Sequence, residues 1–257
     1  MTTNNIIEEV SISELEKQRR FNIIRQYYKH RIHYGHHPNQ LNPKMIPYLY
    51  KGKLIKKPYD TKGYHMINIS LTSHLLNKAR LLLEELSEET VYLFVGTKFQ
   101  LKSVVAKEAE RCNQYYVNYR WLGGMLTNWK TVKLQLNKLK DLEEQAASGV
   151  FSALPIKEAN KRTKRLNHLK KCLSGIKDMP RLPDLVIVTH LQQDFLAIQE
   201  CRKLGIPIIG IVDTNCDPDL VDYVIPANDD STLSVQYILH NLVDSILGES
   251  TVLNKKN

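Results

Sequence analysis

No apolar run among the 257 residues reaches the roughly 20 that a bilayer-spanning helix needs, so no helical membrane anchor is expected and a soluble protein is. The four cysteines, Cys112, Cys172, Cys201 and Cys216, lie 60, 29 and 15 positions apart. Without a CxxC pair there is neither a redox dithiol nor a cysteine zinc site to expect, and the thiols read as reduced. No GxGxxG occurs, and Gly96-Thr97-Lys98 lacks the earlier glycine and the spacing of a phosphate loop, which argues against nucleotide binding there. Between Lys17 and Lys57 there is no Asp or Glu at all, against eleven Lys or Arg. From Leu185 to Ser250 the balance reverses, with ten acids against Arg202 and Lys203. A formal net charge of +9 segregated in this way points to a polyanionic partner for the N-terminal third and a scaffold role for the C-terminal third.

The apolar content of 42% is enough for one main core with an appendage. Residues 1–29 read as an extension ending in an amphipathic helix, with Ser13 and Glu16 at capping-box spacing. Its acids, Glu8, Glu9, Glu14 and Glu16, are foreign to transit peptides, which predicts synthesis in the compartment where the protein works. The histidines His30, His33, His36 and His37 have no nearby Cys or carboxylate to complete a metal site, and none is expected there. Basic residues interleaved with Tyr and His suit phosphate contacts and stacking on exposed bases instead.

From Leu71 onward helical and strand patterns alternate. Leu75, Leu76, Ala79, Leu82, Leu83 and Leu86 share a helical face, Val91 to Val95 is a buried-strand run, and Lys98 to Arg111 reads as helix. The rhythm resumes with Leu185 to Val188, the helix Gln192 to Leu204, the strand Ile208 to Val212, the short strand Tyr223 to Pro226 and a final helix. This predicts an α/β three-layer domain with a parallel sheet, flavodoxin-like or Rossmann-like, over 30–122 plus 181–248. Residues 249–257 read as a mobile tail.

The period changes after Arg120-Trp121-Leu122-Gly123-Gly124-Met125-Leu126-Thr127-Asn128-Trp129, which holds both tryptophans. Trp129, Val132, Leu136, Leu139, Leu142 and Ala146 form one seam, and Ile156, Ala159, Thr163, Leu166, Leu169, Leu173 and Ile176 form a second. Two seams flanking Gly149 and Pro155 predict an antiparallel helical hairpin over 123–180, with coiled-coil spacing, inserted between βα units. Its second arm carries Lys157, Lys161, Arg162, Lys164, Arg165, Lys170 and Lys171 against Glu158 alone. An arm too narrow to bury much calls for a partner, nucleic acid or protein.

At the end of one strand, Asp213-Thr214-Asn215-Cys216-Asp217-Pro218-Asp219 occupies the place where open α/β sheets hold ligands. As a calcium loop it fails at Pro218 and Val224, and as an aspartyl phosphotransferase it fails at Asn215, so a chain-redirecting turn is the better account.

Several ordered blocks share one resemblance. Trp121-Leu122-Gly123-Gly124-Met125-Leu126-Thr127-Asn128-Trp129, His33-Tyr34-Gly35-His36, Asn42-Pro43-Lys44-Met45, Ser174-Gly175-Ile176-Lys177-Asp178-Met179, and the Asp213–Asp219 and Ile225–Asp230 stretches resemble the family of the second protein of the small ribosomal subunit, in its bacterial and organellar form. Tyr34 replaces the usual Phe, Leu41 the usual Trp, and Ser174 a usual Gly. The resemblance implies a non-enzymatic constituent of the small subunit, without cofactor or metal. Its implied partners are small-subunit rRNA and neighbouring proteins, the large protein one of the subunit among them. RNA contacts are then expected at Arg31, His33, His36, Lys44, Lys161, Arg162, Lys164 and Arg165. The plastid and cyanobacterial style of the closing motifs implies a chloroplast stromal ribosome, with the bacterial cytoplasm as the alternative. Two rivals stand beside this reading: a sugar-phosphate or nucleotide enzyme using Asp213 or Asp217, and a protein-interaction scaffold that binds no RNA.

Overall fold

The computed structural model describes residue 18 and residues 21–50, 63–87 and 89–248. The Ser13/Glu16 capping box, most of the expected extension, the cations at 51, 53, 56 and 57 and the tail 249–257 lie outside the described residues. Five strands, β1 (Tyr92–Val95), β2 (Tyr115–Val117), β3 (Leu185–Val188), β4 (Ile208–Val212) and β5 (Tyr223–Pro226), form one sheet in the order β2-β1-β3-β4-β5. Every pairing is parallel. The helices are α1 (residues 21–29), α2 (Ile69–Glu85), α3 (Lys102–Arg111), α4 (Trp129–Ala147), α5 (Ile156–Leu173), α6 (Phe195–Leu204) and α7 (Thr232–Ile246).

Strands buried on both faces need apolar residues at every position, which explains the unbroken Val, Ile and Leu runs. Successive side chains point to opposite faces, and the core divides accordingly. Tyr92, Phe94, Leu185, Ile187, Ile209, Ile211 and Ile225 face a layer made by α2, α3 and α7, with Tyr27 of α1 at its margin. Leu93, Val95, Val117, Val186, Val188, Ile208 and Val212 face α4, α5 and α6. The expected three-layer parallel α/β architecture is therefore present. Among the described residues no helix is long and apolar enough to cross a membrane.

Between β2 and β3 the chain runs out along α4, turns at Gly149 in a left-handed conformation (φ 75°) and returns along α5. Arg162 reaches Gln145, and both Lys170 and Lys177 reach Glu143, so the helices run antiparallel. The seams are packed only toward the sheet. Leu136, Leu139 and Leu142 of α4 meet Leu169, Cys172 and Leu173 of α5 in the core. Toward the tip Ala146 and Thr163 are exposed and Ile156 is 80% exposed, contrary to the expected continuous seam. Two helix starts also differ. Lys98 to Leu101 forms a link and a 3-10 turn before α3, and residues 191–194 form a turn before α6. In that turn Gln193 N–H donates to His190 Nδ1 (3.2 Å) and Asp194 N–H to the His190 carbonyl (3.1 Å).

Candidate nucleic-acid interface

The strand order reverses between β1 and β3, so the crevice at their carboxyl ends is where such sheets hold ligands. In this chain the N-terminal loop enters that region. Residues 33–36 pair in antiparallel fashion with 65–67: Gly35 N–H donates to the His65 carbonyl (2.9 Å), and Ile67 N–H to the His33 carbonyl (2.9 Å). His36 N–H donates to Thr214 Oγ1 (2.9 Å), and Asn42 N–H to the Thr214 carbonyl (2.9 Å). A Cβ on Gly35 would lie 2.5 Å from Thr214 Cγ2, which is why this position holds glycine. Asn42 Oδ1 accepts from Lys44 N–H (3.0 Å) and so starts the 3-10 helix Pro43–Tyr48, which drives Met45 into the core. Both N-terminal motifs are thus parts of a clasp onto the turn that follows β4.

The clasp is also electrostatic. His36 Nδ1 lies 3.2 Å from Asp213 and Nε2 lies 3.3 Å from Asp230. The Asp213 carboxylate raises the His36 pKa against the opposing effect of burial, and Asp230 and Asp229 add to the rise. Asp230 also pairs with Lys98. Burial alone would push the Asp230 carboxyl up, but Lys98, His36 and His190 outweigh it and hold it below the usual range. Asp229 is fully buried, and burial followed by the Asp213 charge drives its carboxyl well above the usual range. His190 goes the other way, lowered first by burial and then by Lys98. Among the described residues neither Asp229 oxygen has a hydrogen-bond partner, although His190 Nε2 stands 3.7 Å from one of them. Donor atoms of His190, Asp229 and Asp230 lie within 4.8 Å of one another, a nitrogen and carboxylate set of the kind that can hold a divalent cation. Sequence reading misses this grouping because its members come from the ends of two different strands.

Asp217 accepts from Asp219 N–H (3.0 Å) to cap the next 3-10 turn, and both carboxylates receive Lys44 Nζ, at 2.7 and 2.6 Å. Lys44 first, against burial, holds the Asp217 carboxyl below its ordinary value. The acid-rich turn is therefore organised by capping and by ion pairs within the chain.

The eight residues expected to meet RNA divide into two groups in space. Arg31 is exposed, at φ 59°, and its carbonyl accepts from Asn228 Nδ2 (3.3 Å). His33 is buried beside Tyr28 and Tyr34, with ring centroids 4.5 and 4.2 Å away. His36 and Lys44 face the carboxylates just described. On α5, Lys161, Lys164 and Arg165 are exposed, while Arg162 is half-buried and bonds Glu158 (2.8 Å) and Gln145 (3.2 Å). Exposed Lys157, His168 and Lys171 continue the same stripe at helical spacing, opposite the packed Leu166, Leu169 and Leu173.

The arm leaves the sheet through the tryptophan junction, and one residue organises it. Glu200 Oε1 accepts from Trp121 Nε1 (3.0 Å) and Gly124 N–H (2.7 Å). Its Oε2 accepts from Leu126 N–H (2.9 Å), Thr127 N–H (3.0 Å) and Thr127 Oγ1 (3.1 Å). Gly124, at φ 84°, supplies the left-handed step that aims these amides at one carboxylate. Burial raises the Glu200 pKa, but the donors, led by Thr127 N–H, outweigh it and leave a net lowering. At the arm's return Gly175 lies against β2: a Cβ there would stand 2.2 Å from the Tyr116 carbonyl oxygen.

Residues 28–248 match the model of the family described as Ribosomal protein S2. The small ribosomal subunit protein uS2c of Trieres chinensis is 49% identical over 216 residues, which cover 84% of this chain and 91% of the relative. The protein of the same name from Phaeodactylum tricornutum is 49% identical over 217 residues, 84% of this chain and 92% of the relative. The small ribosomal subunit protein uS2 of Acaryochloris marina is 44% identical over 216 residues, 84% of this chain and 70% of the relative. The matched span takes in the clasp, the whole sheet, the Glu200-centred junction and both arm helices, and the chain therefore belongs to the ribosomal protein S2 family.

Proposed function

We propose that this chain is a structural constituent of the small ribosomal subunit, without catalytic activity of its own, and that it works in the plastid stroma. The observation that carries the role is the family match across 28–248. Relatives named uS2c match at 45–49%, and those named uS2 from Acaryochloris marina and Nostoc sp. at 44%, which favours the plastid over a bacterial cytoplasm. Small-subunit rRNA and neighbouring ribosomal proteins are its partners. Residues 123–180 act as an arm that braces against the particle. Its exposed Lys161, Lys164 and Arg165 neutralise phosphates, and Arg31 adds a contact beside the clasp. His36 and Lys44 are already paired with carboxylates of the chain, so their part is to hold the basic loop in place. Each phosphate contact adds roughly 0.9 to the salt slope on duplex and about 0.7 on single strands. The test is sedimentation of a lysate through sucrose at low and high salt. Co-migration with the small subunit that weakens as salt rises is the expected result, and slow sedimentation as free protein under both conditions would overturn the assignment.

A further inference from the structure

The surface at the carboxyl ends of β1 and β2 is aromatic and cationic. Phe99, in the 3-10 turn after β1, is 84% exposed, and Tyr119, just beyond β2, is 41% exposed. The Lys102 ammonium stands 4.1 Å from the Tyr119 ring centroid and 5.6 Å from that of Phe99, one cation serving two rings. Asn118 Nδ2 donates to the Lys102 carbonyl (3.0 Å), which ties the residue before Tyr119 to the start of α3 and fixes the spacing of the rings. With Arg120 and the half-exposed Leu196 they border a hollow of about 480 Å³. Its described lining contains two charged side chains, Lys102 and Arg120, and no carboxylate.

We propose that this surface is a stacking platform for an unpaired segment of the small-subunit rRNA, with bases on Phe99 and Tyr119 and the flanking phosphates on Lys102 and Arg120. The proposal rests on the ribosomal assignment above. Aromatic faces bordered only by cations match a ligand that presents flat bases and phosphates together. A duplex hides its base faces, so the segment is unpaired. The contrast with α5 is informative. That helix displays cations without a single Phe, Tyr or Trp and with His168 as its one exposed ring, a surface weighted toward phosphates.

Two measurements test it. The full-length chain, with a photoreactive benzoylphenylalanine in place of Phe99, is assembled into small subunits and irradiated. The expected adduct is to rRNA, at nucleotides that are unpaired. An adduct to protein or to a base-paired nucleotide, or none in subunits that contain the chain, overturns the proposal while leaving the ribosomal assignment intact. Failure of the wild-type chain to co-sediment with the subunit overturns both. In the second measurement, Phe99→Ala and Tyr119→Ala each lower the affinity of the full-length chain for a short oligoadenylate by about 5- to 150-fold, the loss expected per stacked base, and leave duplex binding unchanged. Undiminished oligoadenylate binding by the double variant overturns the platform. The exposure of Phe99 makes a folding defect in its alanine variant a poor explanation for any loss.

Discussion

Replacing Glu200 tests whether one carboxylate holds the tryptophan junction. Its five donors are not equivalent. Trp121 and Leu126 are 6% and 1% exposed, so their N–H groups cannot turn to water once the carboxylate is gone, whereas Thr127 is exposed and can. An orphaned buried donor costs about 1–3 kcal/mol, so two of them make Glu200→Ala worth about 4 kcal/mol. At about 2–4 °C per kcal/mol for a chain of this size, the melting temperature falls by about 8–16 °C. Glu200→Gln is the sharper test. Each carboxylate oxygen faces at least two donors, so the new amide NH₂ meets N–H groups in either orientation and removes at least two bonds. Gln should therefore recover less than half of the loss seen with Ala. Differential scanning calorimetry gives the melting shift, and fluorescence gives the location, because both tryptophans of the chain lie in this junction. A Glu200→Gln protein that melts within about 2 °C of wild type with unshifted emission would refute the reasoning.

Gly175→Ala forces a methyl group against the Tyr116 carbonyl, and the backbone shift it demands should cost about 1–3 kcal/mol in urea unfolding; a neutral result would mean that the close approach is absent. Burial raises the Asp194 carboxyl from 3.8 to about 6, partly offset by hydrogen bonds from Thr97 Oγ1 and N–H. A raised carboxyl favours the folded state below the unfolded value and loses that advantage as pH rises through the folded one. Asp194 thus removes about 3 kcal/mol of stability between pH 4 and 6, and Asp194→Asn should flatten that part of the stability–pH curve. His36, raised by Asp213, has the same sign in a higher window: the clasp should weaken as pH climbs above 6.5, and His36→Gln should remove that slope in amide exchange of residues 33–36. Neutralising Lys161, Lys164 and Arg165 together should lower the salt slope of rRNA binding by about 2–3, and an unchanged slope would take α5 out of the interface.

Strands β1, β3 and β4 were legible because burial on both faces leaves no polar position to blur an apolar run, and the βα rhythm then implied parallel pairing. The arm's seams were legible as helical spacing, but spacing does not say where packing stops: Ile156 keeps the pattern and still meets solvent at the tip. The short motifs were visible as words without their grammar. The carboxylates that meet His36 stand nearly two hundred positions away, and only the folded sheet brings them together. Glu200 left no signal, since a single acid on an amphipathic helix has the composition of any solvated face. Lys161, Lys164 and Arg165 stood out as a cationic run, and among the described residues no carboxylate pairs with them.

The clasp joins parts of the chain that are far apart in the order of synthesis. His36 and Thr214 are separated by 178 positions, and Asp230 lies further on still. A ribosome synthesising this protein makes residues 65–67 early, so the loop around His36 can pair with them, but the turn and carboxylates it fastens onto at 213–230 follow only after β3 and β4. Until then the sheet lacks its fourth and fifth strands and the basic stretch lacks its counter-charges. Closure is consequently a late and non-local step, of the slow kind that topology imposes. A chain that stops short of the last carboxylates would carry the same basic N-terminal words and have no means of fastening them.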